Sequence, residues 1–554
     1  MADSFAIEVI DIDNKGILSN FATLSEKGQE KYFKTVAEDY MNFNSYSLIR
    51  KQNNPAIVDY VYNNTVRNKG LLLKSSTAMR NVVLNSKDTV LIDNYYKWIH
   101  LKKKIAKLNS KGKDATEIEE QANEYEKELV KSSQMFSDFK QLQNMSWRVV
   151  QKALKANEVA VEFVHFKLKD MKEFEWTDTI MYCALVVAKN SNHPEMIPLF
   201  REKQLEEIIG KFGSNNYNYI NSVYGKNTEV NTELYNLIWK PMAESLKGAG
   251  KVFISPTGLL HKISFSAIAK EQNIYLCDVY DIEVKSSTGK ITENRSASFG
   301  GDFKQATATL FGGITYDTDS TESNIWTYLE GTKTETEKIE KILEKKLGKL
   351  NYFSNTTATE EEFKKMASNS TILHIATHGF FYPDPAEIQK EIAENVEYGE
   401  VSFRGGSRGF GVNSFVKNRN PLMRSGLVFY GANDVWSKQN EGSNDDGVLT
   451  AQEVANIDMR KTDLVVMSAC ETGLGDIKGS EGVYGLQRAF KMAGVDFIIM
   501  SLWQVPDKET EEFMTLFYKK LLKQKDIKQA FVTTQTKMRK KYDPYFWAAF
   551  VLIE

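Results

Sequence analysis

Three apolar runs, each ending on reactive or unusual residues, constrain this chain more than any other feature. TILHIAT (371–377) runs into His378-Gly379, and DLVVMSA (463–469) runs into Cys470-Glu471-Thr472-Gly473. DFIIMSL (496–502) runs into Trp503-Gln504-Val505-Pro506-Asp507. They sit in a longer rhythm that begins at residue 309. TLFGGITYD, TILHIATHG, DLVVMSAC and DFIIMSLW read as strands; TETEKIEKILEKKLG, GVLTAQEVANID, GVYGLQRAFKMAG and KETEEFMTLFYKKLLKQ supply the helical segments between and after them. Alternation on this scale predicts an α/β fold, a mostly parallel sheet flanked by helices. The strand runs are continuously apolar, as strands covered on both faces must be.

Ligands bind outside the carboxyl ends of strands in open α/β sheets. A His and a Cys at two such ends are therefore expected to meet. The chemistry needs the pair, because a free thiol is mostly protonated at neutral pH. A neighbouring imidazole takes the proton during attack and returns it to the leaving amine. His378 is thus the candidate acid/base and Cys470 the candidate nucleophile. Gly379 lets the backbone approach substrate closely, and its N–H together with that of Cys470 would hold a developing oxyanion. Four glycines in GLGDIKGSEG, shortly after the Cys, allow tight turning.

Other reactive side chains read as inert. Cys183 and Cys277 lie in or beside apolar runs and are expected to be buried. His374 lies inside its strand, four residues before His378, and reads as a core residue. Even spacing on a strand would put both histidines on one face. HxxxH on a helix binds metal, but the β-rich flanks and the absence of a third ligand leave no metal site expected. No organic cofactor is called for either. Three scattered cysteines make no disulfide framework, and a reducing, cytoplasmic compartment fits them.

Upstream, residues 1–142 read as a helical region. Apolar residues recur at three- and four-residue spacing through TVLIDNYYKWIHLKKKIAKLN (89–109). Asp114 or Thr116 then caps a second helix through EIEEQANEYEKELVKSSQMFSDF. No fixed repeat period is visible. Residues 143–305 are richer in strand: EVAVEFVHF, TIMYCALVVAK and KVFISPTGLLHKISFSAI, the last with a Pro-Thr-Gly turn between its apolar pieces. The catalytic part is expected over 306–554. Within it, FYPDPAEIQK through NPLM (381–423) reads as a surface loop or, more sharply, a gating loop cut by the enzyme itself at Arg404 or Arg408. In SKQNEGSNDDG, Asp445 and Asp446 have a turn role.

With 42% hydrophobic and 26% charged residues and a formal net charge of −2, nothing draws the chain to nucleic acid or membrane. No apolar run reaches about eighteen residues, and MADSFAIEVIDIDNKG lacks the basic-then-apolar pattern of a secretion signal.

LHIATHGFF, PLMRSGLVFYGAN, GVLTAQEVANIDMRKTDLVVMSACETGLGDIKGSEGVYGLQRAFKMAGVDFIIMSLWQVPD and DPYFWAAFVLIE together resemble the CHAT domain, a caspase-like domain often found behind tetratricopeptide repeats. GLLHKISFSAI and LEGTKTETEKI resemble its earlier segments, so the likeness covers roughly residues 145 to 554. It implies a caspase-like sheet and a cysteine peptidase of the caspase, gingipain and separase group, with 143–305 as its pseudo-caspase-like part. His378, Cys470 and Gly379 match its dyad and glycine positions. Ser468 and Ala469 stand where several relatives carry Asp. LWQVPDKETE is similar to a separase segment whose acid lines an arginine-binding pocket, which makes Asp507 the S1 candidate; the plainer reading has Asp507 capping the next helix.

The resulting expectation is a cysteine endopeptidase acting on a protein substrate. Its activator would be a protein or ribonucleoprotein partner engaging the helical region, in bacterial defence or programmed cell death. A catalytically silent scaffold of the same fold and a small-amide cysteine hydrolase are the alternatives.

Overall fold

The computed structural model describes residues 2–110, 113–132, 144–210, 216–293, 303–318, 325–385, 418–436, 446–469, 475–477 and 482–554. They form two compact units, each discontinuous in sequence. One comprises Met1–Ile99, Glu120–Asn294 and Ile477–Gly482; the other comprises His100–Glu119, Arg295–Asp476 and Val483–Glu554.

Helices α1 (Ala2–Phe21), α2 (Glu26–Arg50), α3 (Ile57–Asn68) and α4 (Leu71–Leu84) open the chain. Helix α1 buries Ile10, Asn14, Ile17 and Phe21, one stripe at three- and four-residue spacing. The two helices expected from periodicity follow as α5 (Thr89–Ser110) and α6 (Thr116–Ser132). Asp114 accepts hydrogen bonds from the Thr116 N–H (3.0 Å) and hydroxyl (2.6 Å), the cap chemistry expected there. The last residues expected for the second helix lie outside the described residues.

Strands β1 (Glu158–Asp170), β2 (Glu175–Ala188), β3 (Glu195–Arg201), β4 (Lys251–Ser255) and β5 (Asp281–Val284) make one sheet in the order β3-β2-β1-β4-β5. β1 is antiparallel to β2 and parallel to β4. Ile10, Phe43, Ile57, Val61 and Trp147 pack with Ala160, Val164, Cys183 and Leu185 in one core. Only the first piece of KVFISPTGLLHKISFSAI is a strand; the remainder forms two 3-10 turns, Gly258–Lys262 and Phe265–Ala267. Gly258 takes a left-handed φ of 52°, and a Cβ there would overlap the Tyr182 hydroxyl, so the strand cannot continue.

This unit buries a charged pair. Lys69 Nζ donates to Glu162 Oε1 (2.6 Å) and the Ser255 carbonyl (2.9 Å). Glu162 Oε2 accepts from the Thr288 N–H (2.7 Å) and hydroxyl (2.6 Å). Burial pulls the Lys69 pKa down, against the opposing pull of Glu162. Cys183 is buried as expected, and desolvation lifts its thiol pKa to about 12, which makes it unreactive. Cys277 departs from expectation. In the one-turn helix Leu276–Val279, Leu276 takes the inward position and Cys277 is only half-buried.

The other unit holds β6 (Thr307–Ile314), β7 (Lys349–Asn355), β8 (Ile372–Ile375), β9 (Gly379–Phe381), β10 (Ser425–Val428), β11 (Val448–Thr450), β12 (Leu464–Met467), β13 (Phe497–Ser501) and β14 (Phe550–Ile553). Its main sheet runs β14-β13-β12-β8-β6-β7, parallel throughout except for β14, which is antiparallel to β13. The α/β architecture, parallel sheet and N-terminal helices are those the sequence predicts. Leu373, Ile375, Val465, Met467, Ile498 and Met500 pack on one side against Phe363, Ala367, Ala489 and Phe490. On the opposite side, His374 meets Glu335 of α7 (Glu330–Leu343) and Tyr518 of α8 (Asp507–Gln524). Both faces are covered, which is why these strands are apolar without alternation. β9-β10-β11 form a separate antiparallel sheet beyond the end of β8.

Among the described residues, no helix is long and apolar enough to cross a membrane. No group of three or more His, Cys, Asp or Glu among them is placed to hold a metal ion.

Candidate functional site

In-register parallel pairing aligns the carboxyl ends of three neighbouring strands: Ile375 lies beside Met467, and Val466 beside Ile499. The chain leaving β8 reaches His378 three residues later. The chain leaving β12 passes through Ser468 and Ala469, and that leaving β13 reaches Asp507. A cleft of about 250 Å³ opens here, lined by His378, Gly379, Ser468, Ala469, Ser501 and Asp507, with Trp326, Phe380 and Val505 among its apolar walls. Cys470 lies outside the described residues, as do Arg404, Arg408 and Asp445. Ala469 brings the described chain to within one residue of Cys470.

His378 belongs to no strand of the main sheet. Its carbonyl accepts from the Val428 N–H (3.1 Å), so it opens the β9–β10 ladder, and the even spacing from His374 does not carry across the break after Ile375. Val428 also takes the Thr377 hydroxyl on its carbonyl (2.6 Å), which fixes the neighbouring residue. The ring is held on three sides. Its Nε2 lies 2.8 Å from the Thr327 carbonyl, and a carbonyl only accepts, so Nε2 carries the hydrogen. In a neutral ring Nδ1 is then the basic nitrogen. Tyr316 and Trp326 contact the imidazole, with ring centroids 5.1 and 5.2 Å away. Asn433 in turn fixes Trp326, accepting from its N–H (2.9 Å) and donating to its carbonyl (3.0 Å).

Gly379 pairs opposite Leu427. Hydrogen-bonded and open pairs alternate along an antiparallel ladder. Val428 bonds His378 and the Tyr382 N–H bonds the Arg424 carbonyl (2.8 Å), so Gly379 occupies an open position. Its N–H therefore points away from β10 and is not used by the ladder.

Asp507 is the first residue of α8, and Pro506 is the N-cap, with no side-chain capping bond. The capping alternative for Asp507 therefore does not hold: its exposed carboxylate has no hydrogen-bond partner among the described residues. Its position in the first turn is still favourable to the helix dipole. Gly331, at the start of α7, packs directly on it; a Cβ at Gly331 would overlap the Asp507 side chain.

Beneath the cleft, His374 is fully buried, as the sequence implies for a core histidine. Its Nδ1 is 3.2 Å from the Tyr518 hydroxyl. Its Nε2 lies 2.9 Å from Glu335 Oε1, yet the approach is off the hydrogen-bond axis, so no aligned bond joins the two atoms. The other Glu335 oxygen accepts from the Ser468 hydroxyl (3.0 Å). Burial, then the Glu335 charge, push the Tyr518 pKa well up.

Several of these residues escape sequence reading. A main-chain carbonyl such as that of Thr327 has no side-chain signature. Glu335 reads as one more charged residue of an amphipathic helix. Of the predicted turn residues, Asp446 accepts from the Val448 N–H (3.0 Å), as a turn Asp does.

Residues 228–554 match the sequence profile of the family described as CHAT domain. No curated protein matches the chain. Among solved structures it is similar to a chain of the Saccharomyces cerevisiae separase–securin complex, with 9% identity and a TM-score of 0.43, over 100% of this chain and 40% of that one. It is also similar to the Arg-specific cysteine proteinase gingipain R, with 8% identity and a TM-score of 0.32, over 59% of this chain and 67% of that one. The complex of Porphyromonas gingivalis RgpB pro- and mature domains is similar at 11% identity and a TM-score of 0.29, over 63% and 70% of the two chains. This chain thus spans 40% of the length of the separase-complex chain.

Proposed function

This chain belongs to the CHAT domain family, and on that premise we propose that it is a caspase-like cysteine endopeptidase using a His378/Cys470 dyad. The observation that carries the reading is the cleft itself. It brings His378, Gly379 and Asp507 to one place, and its Ala469 wall leads directly into Cys470.

In the proposed reaction, His378 Nδ1 takes the Cys470 proton as the sulfur attacks the scissile carbonyl. The N–H groups of Gly379 and Cys470 hold the oxyanion. The imidazolium, steadied by the Thr327 carbonyl, then protonates the departing amine, leaving an acyl-enzyme that water hydrolyses by the reverse proton path. Asp507 receives a P1 Arg or Lys through a charge-assisted hydrogen bond. A protein or ribonucleoprotein partner engaging the N-terminal helices is the proposed activator, and defence or programmed cell death the proposed setting.

Cleavage of a mixed peptide library, read by mass spectrometry, tests the reading with the wild type, Cys470→Ala and His378→Ala. Cutting after Arg or Lys by the wild type alone supports it. Cutting that survives Cys470→Ala rejects the dyad, and no cutting by any form leaves the silent scaffold and a peptidase awaiting its activator.

A further inference from the structure

Two consecutive residues at the carboxyl end of β12 are tied down by separate hydroxyl hydrogen bonds from different elements. Ser468 Oγ donates to Glu335 Oε2 on α7 (3.0 Å), and its N–H donates to the Ile375 carbonyl (2.9 Å). Ser501 Oγ, the last residue of β13, donates to the Ala469 carbonyl (2.9 Å). All four partners are interior: Glu335 is 2% exposed, Ser501 5%, Ala469 6% and Ser468 8%. Neither tether belongs to the sheet's own ladder. Strand β12 ends at Met467, one residue before the first tether.

Resting on the reading of Cys470 as nucleophile, we propose that Ser501, and Glu335 acting through Ser468, are positioning residues for the nucleophile and its oxyanion donor. A trans peptide unit is planar, with its N–H opposite its C=O. On this proposal, the hydroxyl that holds the Ala469 carbonyl oxygen also governs the N–H across the same bond, the group assigned to the oxyanion. The Glu335 tether fixes the preceding residue, so the plane cannot relieve itself by rotating upstream. Glu335 sits on α7, whose Gly331 packs on Asp507, shortly after Thr327, whose carbonyl orients His378. One stretch, residues 326–335, thereby touches the base, the pocket acid and Ser468, two residues before the nucleophile. Removing either hydroxyl deletes one of the buried hydrogen bonds that hold this peptide and loosens it.

The test uses the full chain and two alkylating probes. An arginyl chloromethyl ketone requires the base, the pocket and the oxyanion donors; iodoacetamide requires an accessible thiolate but neither the pocket nor the oxyanion donors. Modification of Cys470 is followed by mass spectrometry in the wild type, S501A, S501T, S468A, H378A and C470A. For S501A and S468A, misplacement of the reacting groups should lower the limiting labelling rate by the ketone about 10- to 100-fold. Half-saturation should change less than about twofold, because Asp507 is untouched. Iodoacetamide rates should stay level, and S501T, which keeps the hydroxyl, should recover most of the ketone rate. A general loss of structure would instead move both probes together and would not be repaired by S501T. Wild type that the ketone does not modify at Cys470, or modifies equally in H378A, overturns the dyad. Wild type that reacts through the dyad while S501A and S468A keep its limiting rate overturns the positioning roles alone.

Discussion

Replacing Asp507 by Asn removes one charge from the cleft while leaving its shape intact. The carboxylate is exposed, has no hydrogen-bond partner among the described residues, and does not cap α8, so nothing in the fold consumes it. A hydrogen bond between a carboxylate and a P1 guanidinium contributes about 1.5–3 kcal/mol, so kcat/KM for a P1 Arg peptide should fall about 10- to 150-fold. The lower end is the better expectation, because solvent reaches Asp507 and screens the pair. Peptides with Leu at P1 make no such bond and should change less than about twofold, since uncharged side chains gain only apolar contact there. The assay is steady-state cleavage of matched P1 Arg, Lys and Leu peptides by both forms. An unchanged Arg-to-Leu ratio refutes the pocket assignment. An equal loss on all three peptides would mean that Asp507 shapes the cleft rather than reading P1.

Three further perturbations follow from the packing. Gly331→Ala should lower the Arg-to-Leu ratio alongside Asp507→Asn, because the new methyl displaces the Asp507 side chain; a variant with unchanged preference, only stabilised by the better helix former, rejects the overlap. Lys69→Met should destabilise the chain by about 3–5 kcal/mol in urea unfolding, because Glu162 is left charged and buried; adding Glu162→Leu should restore most of that, and a single-variant loss under about 1 kcal/mol refutes the argument. Asp463 has its pKa raised to about 6 by burial and by Asp496, so the folded state holds its proton more tightly than the unfolded chain. Its contribution therefore weakens as pH rises from about 4 to about 6, and Asp463→Asn should stabilise by about 1–2 kcal/mol at pH 7, after discounting for screening, and hardly at pH 4. Equal Tm shifts at both pH values reject it.

Local chemistry written into the chain determined a good deal. Continuous apolar runs alternating with amphipathic ones require a sheet covered on both faces, and β6, β8, β12 and β13 form one. Covalent sequence also dictates that His378 and Asp507 follow the carboxyl ends of their strands, since each lies a few residues beyond the last apolar position. Where backbone geometry intervened, the reading failed. The apolar piece after the Pro-Thr-Gly turn folds into 3-10 turns instead of a strand, and the break after Ile375 takes His378 out of the main sheet, just before the second one. No period announces β7, whose residues are mostly half-buried in the pattern of an edge strand.

Register and contact decided the rest. Strand order places β12 between β8 and β13, and only that order brings His378, Ala469 and Asp507 around one cleft. The tautomer of His378 depends on a carbonyl at Thr327, 51 residues away in sequence. The tethers of Ser468 and Ala469 span 133 and 32 residues. Such contacts depend on which groups share a place once the sheet has formed, and a linear pattern of residue types holds no information about a main-chain oxygen or about the partner a buried hydroxyl will find. Sequence names the groups able to react; tertiary packing sets the angles at which they meet.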